Sequence, residues 1–346
     1  MPNRHRNATF TGVTAGVTAG LLWGLAFLLP ELLRGWSAVT ITMGRYLAYG
    51  LVALLIFAMA GAALRRQARQ HWRAALTFAV TGNVGYYLLM VLGVQAVGAP
   101  VTGIVIGCMP VTIAVVGNLL APSYPWRRLV VPIALVLLGL LVVNVVELQQ
   151  AAPAGASSAG VKALGLLAAF SAVGLWTWYA IANARFLDRH PEVPHTGWST
   201  VIGLGTGAVA LLAVPLALVT GQLGGTGGGE LHLGGLVGAS IVLGVLVSWG
   251  GTALWNVASG RLPPTAAGML ISVEMMAGFG YVYAARGQWP PLTQVVGFAA
   301  VLAGVLTVIR LQSRTAQAAG TAAPAPPGSF PGREKRLRSV NEGARQ

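Results

Sequence analysis

Charge is scarce in this sequence. Only 9% of its 346 residues are Asp, Glu, Lys or Arg, against roughly a quarter in ordinary soluble domains. Cys108 is the single cysteine, which excludes an internal disulfide and any cluster of thiolates. Lys162 and Lys335 are the only lysines and lie at a helix end and in the C-terminal tail. A retinal-type sensor needs a lysine in the middle of the membrane for its Schiff base, so this class is disfavoured.

Clusters of catalytic residues are also missing. Asp188 is the only aspartate, and it lies in a loop between apolar segments. The five histidines all lie outside the apolar segments: His5, His71, His190, His195 and His232. Hydrolases and transferases embedded in membranes need clustered acids, histidines or metal ligands. We therefore predict no enzymatic activity, no metal site and no cofactor, and keep a membrane enzyme or a sensor as the alternatives to transport.

Apolar residues are abundant instead, at 55% of the chain, with a mean hydropathy of +0.71. Stretches long enough to cross about 30 Å of hydrocarbon as helices lie at 12–30, 38–60, 74–94, 99–120, 129–146, 161–182, 196–219, 235–256, 264–285 and 292–310. The sequence thus predicts an all-α integral membrane protein with ten transmembrane helices. The net charge is +14, but the basic residues lie in short segments between these stretches and form no continuous basic surface. Nucleic acid is therefore not a predicted partner.

The basic residues predict the orientation. With both termini in the cytoplasm, eighteen of the 22 basic residues lie in the tails and inner loops, whereas Arg34, Lys162 and Arg286 lie in outer loops. Cytoplasmic loops of membrane proteins are enriched in Lys and Arg. We expect a multi-pass protein of the inner (plasma) membrane with both termini inside.

Two halves of the chain resemble each other. The segment "ALVLLGLLVV" (134–143) matches "AAVLAGVLTV" (299–308) at six of ten positions, at an offset of 165. Five helices is an odd number, so consecutive copies enter the membrane from opposite sides, as two inverted repeats suited to alternating access. The predicted division is an N-terminal tail (1–11), a first repeat (12–146), an outer linker (147–160), a second repeat (161–310) and a disordered basic C-terminal tail (311–346).

Four motifs carry a family resemblance: "GLLWGLAF" (20–27), "MGRYLAYGLVALL" (43–55), "LWNVASGRLPPTAAGML" (254–270) and "LTQVVGFAAVLAGVL" (292–306). They resemble the drug/metabolite transporter superfamily, and within it the ten-helix EamA-type exporters, including the aromatic amino acid exporter type. The resemblance implies export of small metabolites by inverted five-helix repeats without ATP hydrolysis. Where the family usually has Pro-Val in the ninth helix, this sequence has Glu274, whereas the first half keeps Pro110 and Val111.

Glu274 and Arg45 are the only charged residues deep inside predicted spans. Counting about 1.5 Å per residue places both roughly 10–14 Å below the outer surface, close enough to meet. Glu274 either pairs permanently with Arg45 as a structural ion pair, or contacts a cationic part of the substrate, or exchanges a proton during transport, or is a protonated or interfacial residue without a role in transport. Arg45 is likewise open between structural pairing and contact with a substrate carboxylate.

Aromatic and amide side chains recur at helical spacing along several predicted spans. Such stripes form interhelical packing more often than they bind substrate, but together they are also typical of a cavity wall. Besides Glu274 and Arg45, the candidate substrate-binding residues are Trp23, Asn83, Tyr87, Trp176, Tyr179, Trp249, Asn256 and Tyr281. Pro110, deep in the fourth helix, is the candidate hinge. The predicted function is export of a small metabolite, such as an amino acid or related amphiphile, with the lipid bilayer as surroundings and a homodimer left open.

Overall fold

The computed structural model describes residues 2–33, 35–150, 158–225 and 231–321. Its helices are α1 (Pro2–Leu32), α2 (Ala38–Met59), α3 (Ala62–Ala79), π1 (Val80–Val84), α4 (Gly85–Val97), α5 (Ala99–Gly107), α6 (Met109–Leu120), α7 (Trp126–Gln150), α8 (Ala159–Arg189), α9 (His195–Val219), α10 (Leu233–Val242), π2 (Leu243–Gly250), α11 (Gly251–Ser259), α12 (Pro264–Leu270), α13 (Ser272–Ala285) and α14 (Leu292–Thr321). The described residues contain no β-strand, and one isolated antiparallel bridge joins Trp36 to Gly225.

Ten helical segments are long and apolar enough to cross a membrane, which confirms the predicted all-α membrane architecture. We number them as spans 1 to 10: Asn7–Leu29, Ala38–Met59, Ala62–Val97, Val101–Leu120, Trp126–Val143, Ala159–Arg189, His195–Val219, Leu233–Ser259, Pro264–Ala285 and Leu292–Gln312.

Polar side chains lie inside the bundle and large apolar ones lie outside. Asn183, Asn256 and Thr206 are completely buried, whereas Leu212 and Phe170 are 79% and 61% exposed. A water-soluble protein has the opposite distribution. Contiguous exposed apolar surface indicates contact with lipid.

Span 3 is longer than the predicted segment 74–94 and contains a kink. Its helix begins at Ala62, and His71 has non-helical backbone angles (φ −116°, ψ 17°). Before the kink, Gln67 is buried and Leu64 half-buried, while Arg65, Arg66 and other polar side chains are exposed. This amphipathic pattern explains why a segment too polar for the hydrocarbon is still helical.

Helix irregularities occur in pairs at a constant separation. The two π-helical segments, in spans 3 and 8, begin at Val80 and Leu243, which are 163 positions apart. Spans 4 and 9 are each interrupted once, at Cys108 and Ile271, which are also 163 positions apart. Two copies of one five-helix unit would place its irregularities in this way.

Spans 5 and 10 contact each other reciprocally, through the two matching sequence segments. A Cβ atom placed on Gly139 would lie 2.7 Å from Val301 Cγ2, and one placed on Gly304 would lie 2.7 Å from Val136 Cγ2. Gly139 and Gly304 are 165 positions apart, and so are Val136 and Val301. A two-fold axis relating two halves of one chain would produce such reciprocity.

The element packing follows the same symmetry. Span 1 contacts spans 8 and 9, and its counterpart, span 6, contacts spans 3 and 4. Span 2 packs on span 7 and on span 8, and span 7 in turn packs on span 3. Spans 1 to 4 of the first half and spans 6 to 9 of the second half are thereby interleaved, so side chains of both halves meet in the centre.

The helices extend beyond the predicted ends of the repeats. α1 already begins at Pro2, inside the predicted tail 1–11, where proline suits the first helical turn. α7 runs to Gln150, into the predicted linker, and α14 to Thr321, into the predicted tail 311–346, where alanine and glutamine favour helix. The remaining parts of those predictions, 151–157 and 322–346, lie outside the described residues.

Spans 2 and 7 cross at Gly50 and Gly207. A Cβ atom on either glycine would lie 2.5 Å from the Cα atom of the other, so backbone would have to move. We expect Gly50→Val to lower the free energy of unfolding by about 1–3 kcal/mol, as overpacking does. Thermal unfolding in detergent measures the effect. Gly174→Val is the control, because no atom lies within 4 Å of a Cβ there; equal melting temperatures for the two variants would contradict the close crossing.

Candidate substrate-binding site

Arg45 connects the two halves of the protein. It lies in span 2, and its Nε donates a hydrogen bond to Ser248 Oγ in π2, at 2.8 Å. The guanidinium carbon lies 5.5 Å from the centre of the Tyr46 ring. One bond to a hydroxyl leaves most of the five guanidinium N–H groups available for an anionic group.

Glu274 lies in the first turn of α13, directly after the interruption of span 9. A negative charge is stabilised there by the helix dipole. At the separation of 163 positions between the two interruptions, Glu274 corresponds to Val111, and the neighbouring Val273 corresponds to Pro110, which is buried in the first turn of α6. Within the described chain, the Glu274 side chain forms no hydrogen bond and no ion pair within 4 Å, although the charge of Arg45 acts on it.

Arg45 and Glu274 lie near each other, as predicted, but they do not form an ion pair within 4 Å in the described part of the chain. The two groups share one region and interact electrostatically, but Arg45 is bonded to Ser248 rather than to the carboxylate. Tyr86 is also close enough to be influenced by both charges. The carboxylate and the guanidinium are therefore both available to a bound solute, because neither is in direct contact with the other.

Tyrosines surround these charges. The rings of Tyr46 and Tyr87 are in edge-to-face contact, with centroids 6.4 Å apart. The Tyr87 hydroxyl donates to the Ala38 carbonyl at 2.9 Å, so this predicted residue has its polar tip occupied. Tyr49, one turn after Tyr46, donates to the Ser199 carbonyl at 2.8 Å and ties span 2 to span 7.

Three tryptophans from three different spans form a cluster, which we call the tryptophan cage. The ring centroid of Trp23 lies 6.1 Å from that of Trp176 and 5.6 Å from that of Trp255, and Trp176 and Trp255 are also 5.6 Å apart. Tyr179 extends the cage at 5.5 Å from Trp176. The buried Nε1 of Trp255 has no hydrogen-bond acceptor among the described residues. Trp23, Trp176 and Tyr179 were predicted as candidates, and the structure brings them together.

The cage and the charged pair are adjacent. Span 1 carries Trp23 and packs so closely on α13 that a Cβ on Gly20 would lie 3.2 Å from the backbone nitrogen of Glu274. Gly20 is about one turn before Trp23. Apolar aromatic surface and two opposite charges therefore belong to one region at the centre of the bundle.

The other predicted candidates have polar partners inside the protein. Asn256 accepts from Asn183 Nδ2 at 2.9 Å, and Asn83 donates to Thr206 Oγ1 at 2.8 Å. Trp249 Nε1 donates to Thr200 Oγ1 at 3.0 Å, and the Tyr281 hydroxyl donates to the Leu21 carbonyl at 3.2 Å. These contacts join neighbouring spans.

Several residues of this region were missed by the sequence analysis. They are Tyr46, Tyr49, Tyr86, Ser248 and Trp255. Tyr46 and Tyr49 stand in the same motif as Arg45, and Trp255 precedes Asn256, so their positions were a usable signal. Ser248 gave no signal, because a lone serine in an apolar helix is common.

Opposite charges inside a lipid-facing bundle mark a path for a polar solute, and this places the chain among membrane transporters. The sequence profile of the EamA-like transporter family matches residues 10–145. Over 294 residues, the chain is 35% identical to the "Inner membrane protein YtfF" of Escherichia coli (strain K12), covering 83% of this chain and 91% of that protein. The chain belongs to the EamA-like family of drug/metabolite transporters, as its motifs predicted.

A solved crystal structure has the same fold. It superposes with a TM-score of 0.68 over 88% of this chain and 98% of its own, at 20% sequence identity. The arrangement of spans is thus one that an experimentally determined protein also adopts.

Proposed function

We propose that the protein is a secondary transporter that exports a small zwitterionic amphiphile, of the amino acid class, by alternating access. The observation that carries this proposal is the pair Arg45 and Glu274, which come from different halves of the chain and interact without bonding to each other. A substrate carboxylate would bind the guanidinium, and a substrate ammonium would bind the carboxylate.

The tryptophan cage supports an apolar or aromatic substrate side chain. Aromatic walls favour amphiphilic organic solutes and cations. The free donor on Trp255 Nε1 supplies one further polar contact.

Alternating access is supported by the relation between the halves. Two copies that meet around a central site can rock against each other and open it to either side. Export is the direction expected from the ten-helix exporters that the motifs resemble. We place the protein in the inner (plasma) membrane, where the name of the Escherichia coli relative places that protein. Both termini lie in the cytoplasm in this proposal, because the basic residues gather in the loops on that side.

Arg45→Ala tests the carboxylate contact. We expect export of amino acids from loaded proteoliposomes to fall at least about tenfold, which corresponds to loss of a charge-assisted hydrogen bond worth about 1.5–3 kcal/mol. Amines without a carboxylate should be affected much less, and Arg45→Lys should retain part of the activity.

The controls separate function from folding. Arg128→Ala removes an exposed arginine outside the site and should transport like the wild type. Monodispersity and melting temperature of each variant report on folding. The proposal would be wrong if no solute of a panel of amino acids, amines and organic acids moved in the wild type, or if Arg45→Ala exported amino acids normally.

A further inference from the structure

Two histidines and a glutamate meet at one end of the bundle, away from the substrate site. His71 lies at the kink of α3, and His190 and Glu192 lie in the turn that connects spans 6 and 7. Their ligand atoms all lie within 4.8 Å of one another. His71 lies about 120 positions before His190 and Glu192 in the sequence, so the spacing of these residues did not predict a cluster.

The geometry is close to that of a metal site. A tetrahedral zinc ion with bonds of about 2.0–2.1 Å holds its ligand atoms about 3.3 Å apart. His190 Nδ1 and Glu192 Oε1 are already 3.2 Å apart. The ligand atom of His71 lies within 4.8 Å of the other two, so it would need to approach them by at most about 1.5 Å.

Apolar neighbours hold the two imidazole rings in place. Phe186 packs edge-to-face on His71, with centroids 5.1 Å apart, and lies 4.6 Å from His190. Trp198 contacts His71 edge-to-face at 6.4 Å. Fixed ring orientation lowers the entropic cost of binding an ion.

The donor atoms of the cluster indicate which kind of metal ion it would bind. Two imidazoles and one carboxylate suit Zn²⁺ and related transition metals, whereas Mg²⁺ and Ca²⁺ require mostly oxygen ligands.

We propose that His71, His190 and Glu192 bind one transition-metal ion of the Zn²⁺ type, with a fourth position open to water. Glu192 is 66% exposed and His190 is 35% exposed, so an ion can enter from solvent. Because His71 belongs to the first half and the other two ligands to the second, the ion would join the halves. The site is independent of the transported solute.

Direct metal binding tests this site without a transport assay. Full-length protein in detergent, freed of any affinity tag and of metal, is titrated with Zn²⁺ in competition with a chromophoric chelator, and with Co²⁺ while its visible absorption is recorded. We expect one equivalent of Zn²⁺ to bind, a Co²⁺ spectrum typical of four-coordination, and no competition from millimolar Mg²⁺.

Variants identify the ligands. His71→Ala and His190→Ala should each weaken Zn²⁺ binding at least about tenfold, and so should the isosteric Glu192→Gln, which changes only an exposed side chain. His232→Ala, a histidine outside the cluster, should bind like the wild type. Less than half an equivalent in the wild type, or unchanged affinity in Glu192→Gln and the histidine variants, would overturn the proposal.

Discussion

Glu274→Gln is expected to reduce export of zwitterionic substrates at least tenfold while the protein folds normally. The carboxylate forms no ion pair within 4 Å in the described chain, so its removal breaks no structural contact of that kind. It does remove the anion that would bind a substrate ammonium, a charge-assisted contact worth about 1.5–3 kcal/mol. If the same carboxylate carries a proton, the pH dependence of export disappears together with the rate.

The measurement is export from proteoliposomes at two pH values, with initial rates for the wild type and for the variant. Asp188→Asn is the matched control, since it neutralises an exposed carboxylate outside the site. Organic acids without an ammonium group should lose little in Glu274→Gln. Normal amino acid export with normal pH dependence would assign Glu274 a structural role and move attention to the tryptophan cage.

Asn256→Leu is expected to destabilise the protein strongly, because it breaks a buried network of amide hydrogen bonds. Asn183 and Asn256 are completely buried, and Trp198 Nε1 donates to Asn183 Oδ1 at 2.9 Å. Leucine at position 256 leaves the amide of Asn183 without its acceptor and the His195 carbonyl without its donor. Each unpaired buried group costs about 1–3 kcal/mol, so we expect a loss of about 3 kcal/mol.

Thermal unfolding of single and double variants tests this network. The double variant of Asn183→Leu and Asn256→Leu should cost less than the sum of the single changes, because the amide–amide bond is counted twice in the singles. Asn7→Leu changes an exposed asparagine and is the control. An additive double variant would mean that the two amides do not depend on each other.

The ten spans were predictable because each is a long apolar segment, and length against bilayer thickness decides the assignment. The neighbourhood of Arg45 and Glu274 was predictable for a related reason, since depth in the membrane follows from the rise per residue. The bond from Arg45 to Ser248 was not predictable, because it depends on how π2 turns its side chains.

The sequence also could not predict which aromatic and amide residues join the tryptophan cage and which bond to neighbouring spans. Trp249 and Trp255 are six positions apart in an almost entirely apolar helix, which gives little contrast between its faces. The structure places Trp255 in the cage and bonds Trp249 to Thr200. The motifs placed Glu274 opposite Pro110, whereas the helix interruptions, which became visible only in three dimensions, place it opposite Val111.

The paired π-helical segments give each half a means of rotation without unfolding. A π-turn contains one residue more than an α-turn, and every amide in it still has a carbonyl partner. If π1 or π2 moved along its helix by one turn, the side chains it passed would rotate by about 100° and advance by about 1.5 Å. Asn83 lies in π1 and Ser248 in π2. Such a shift would replace the side chain that each half presents to the centre of the bundle, while the ends of the helix keep their positions.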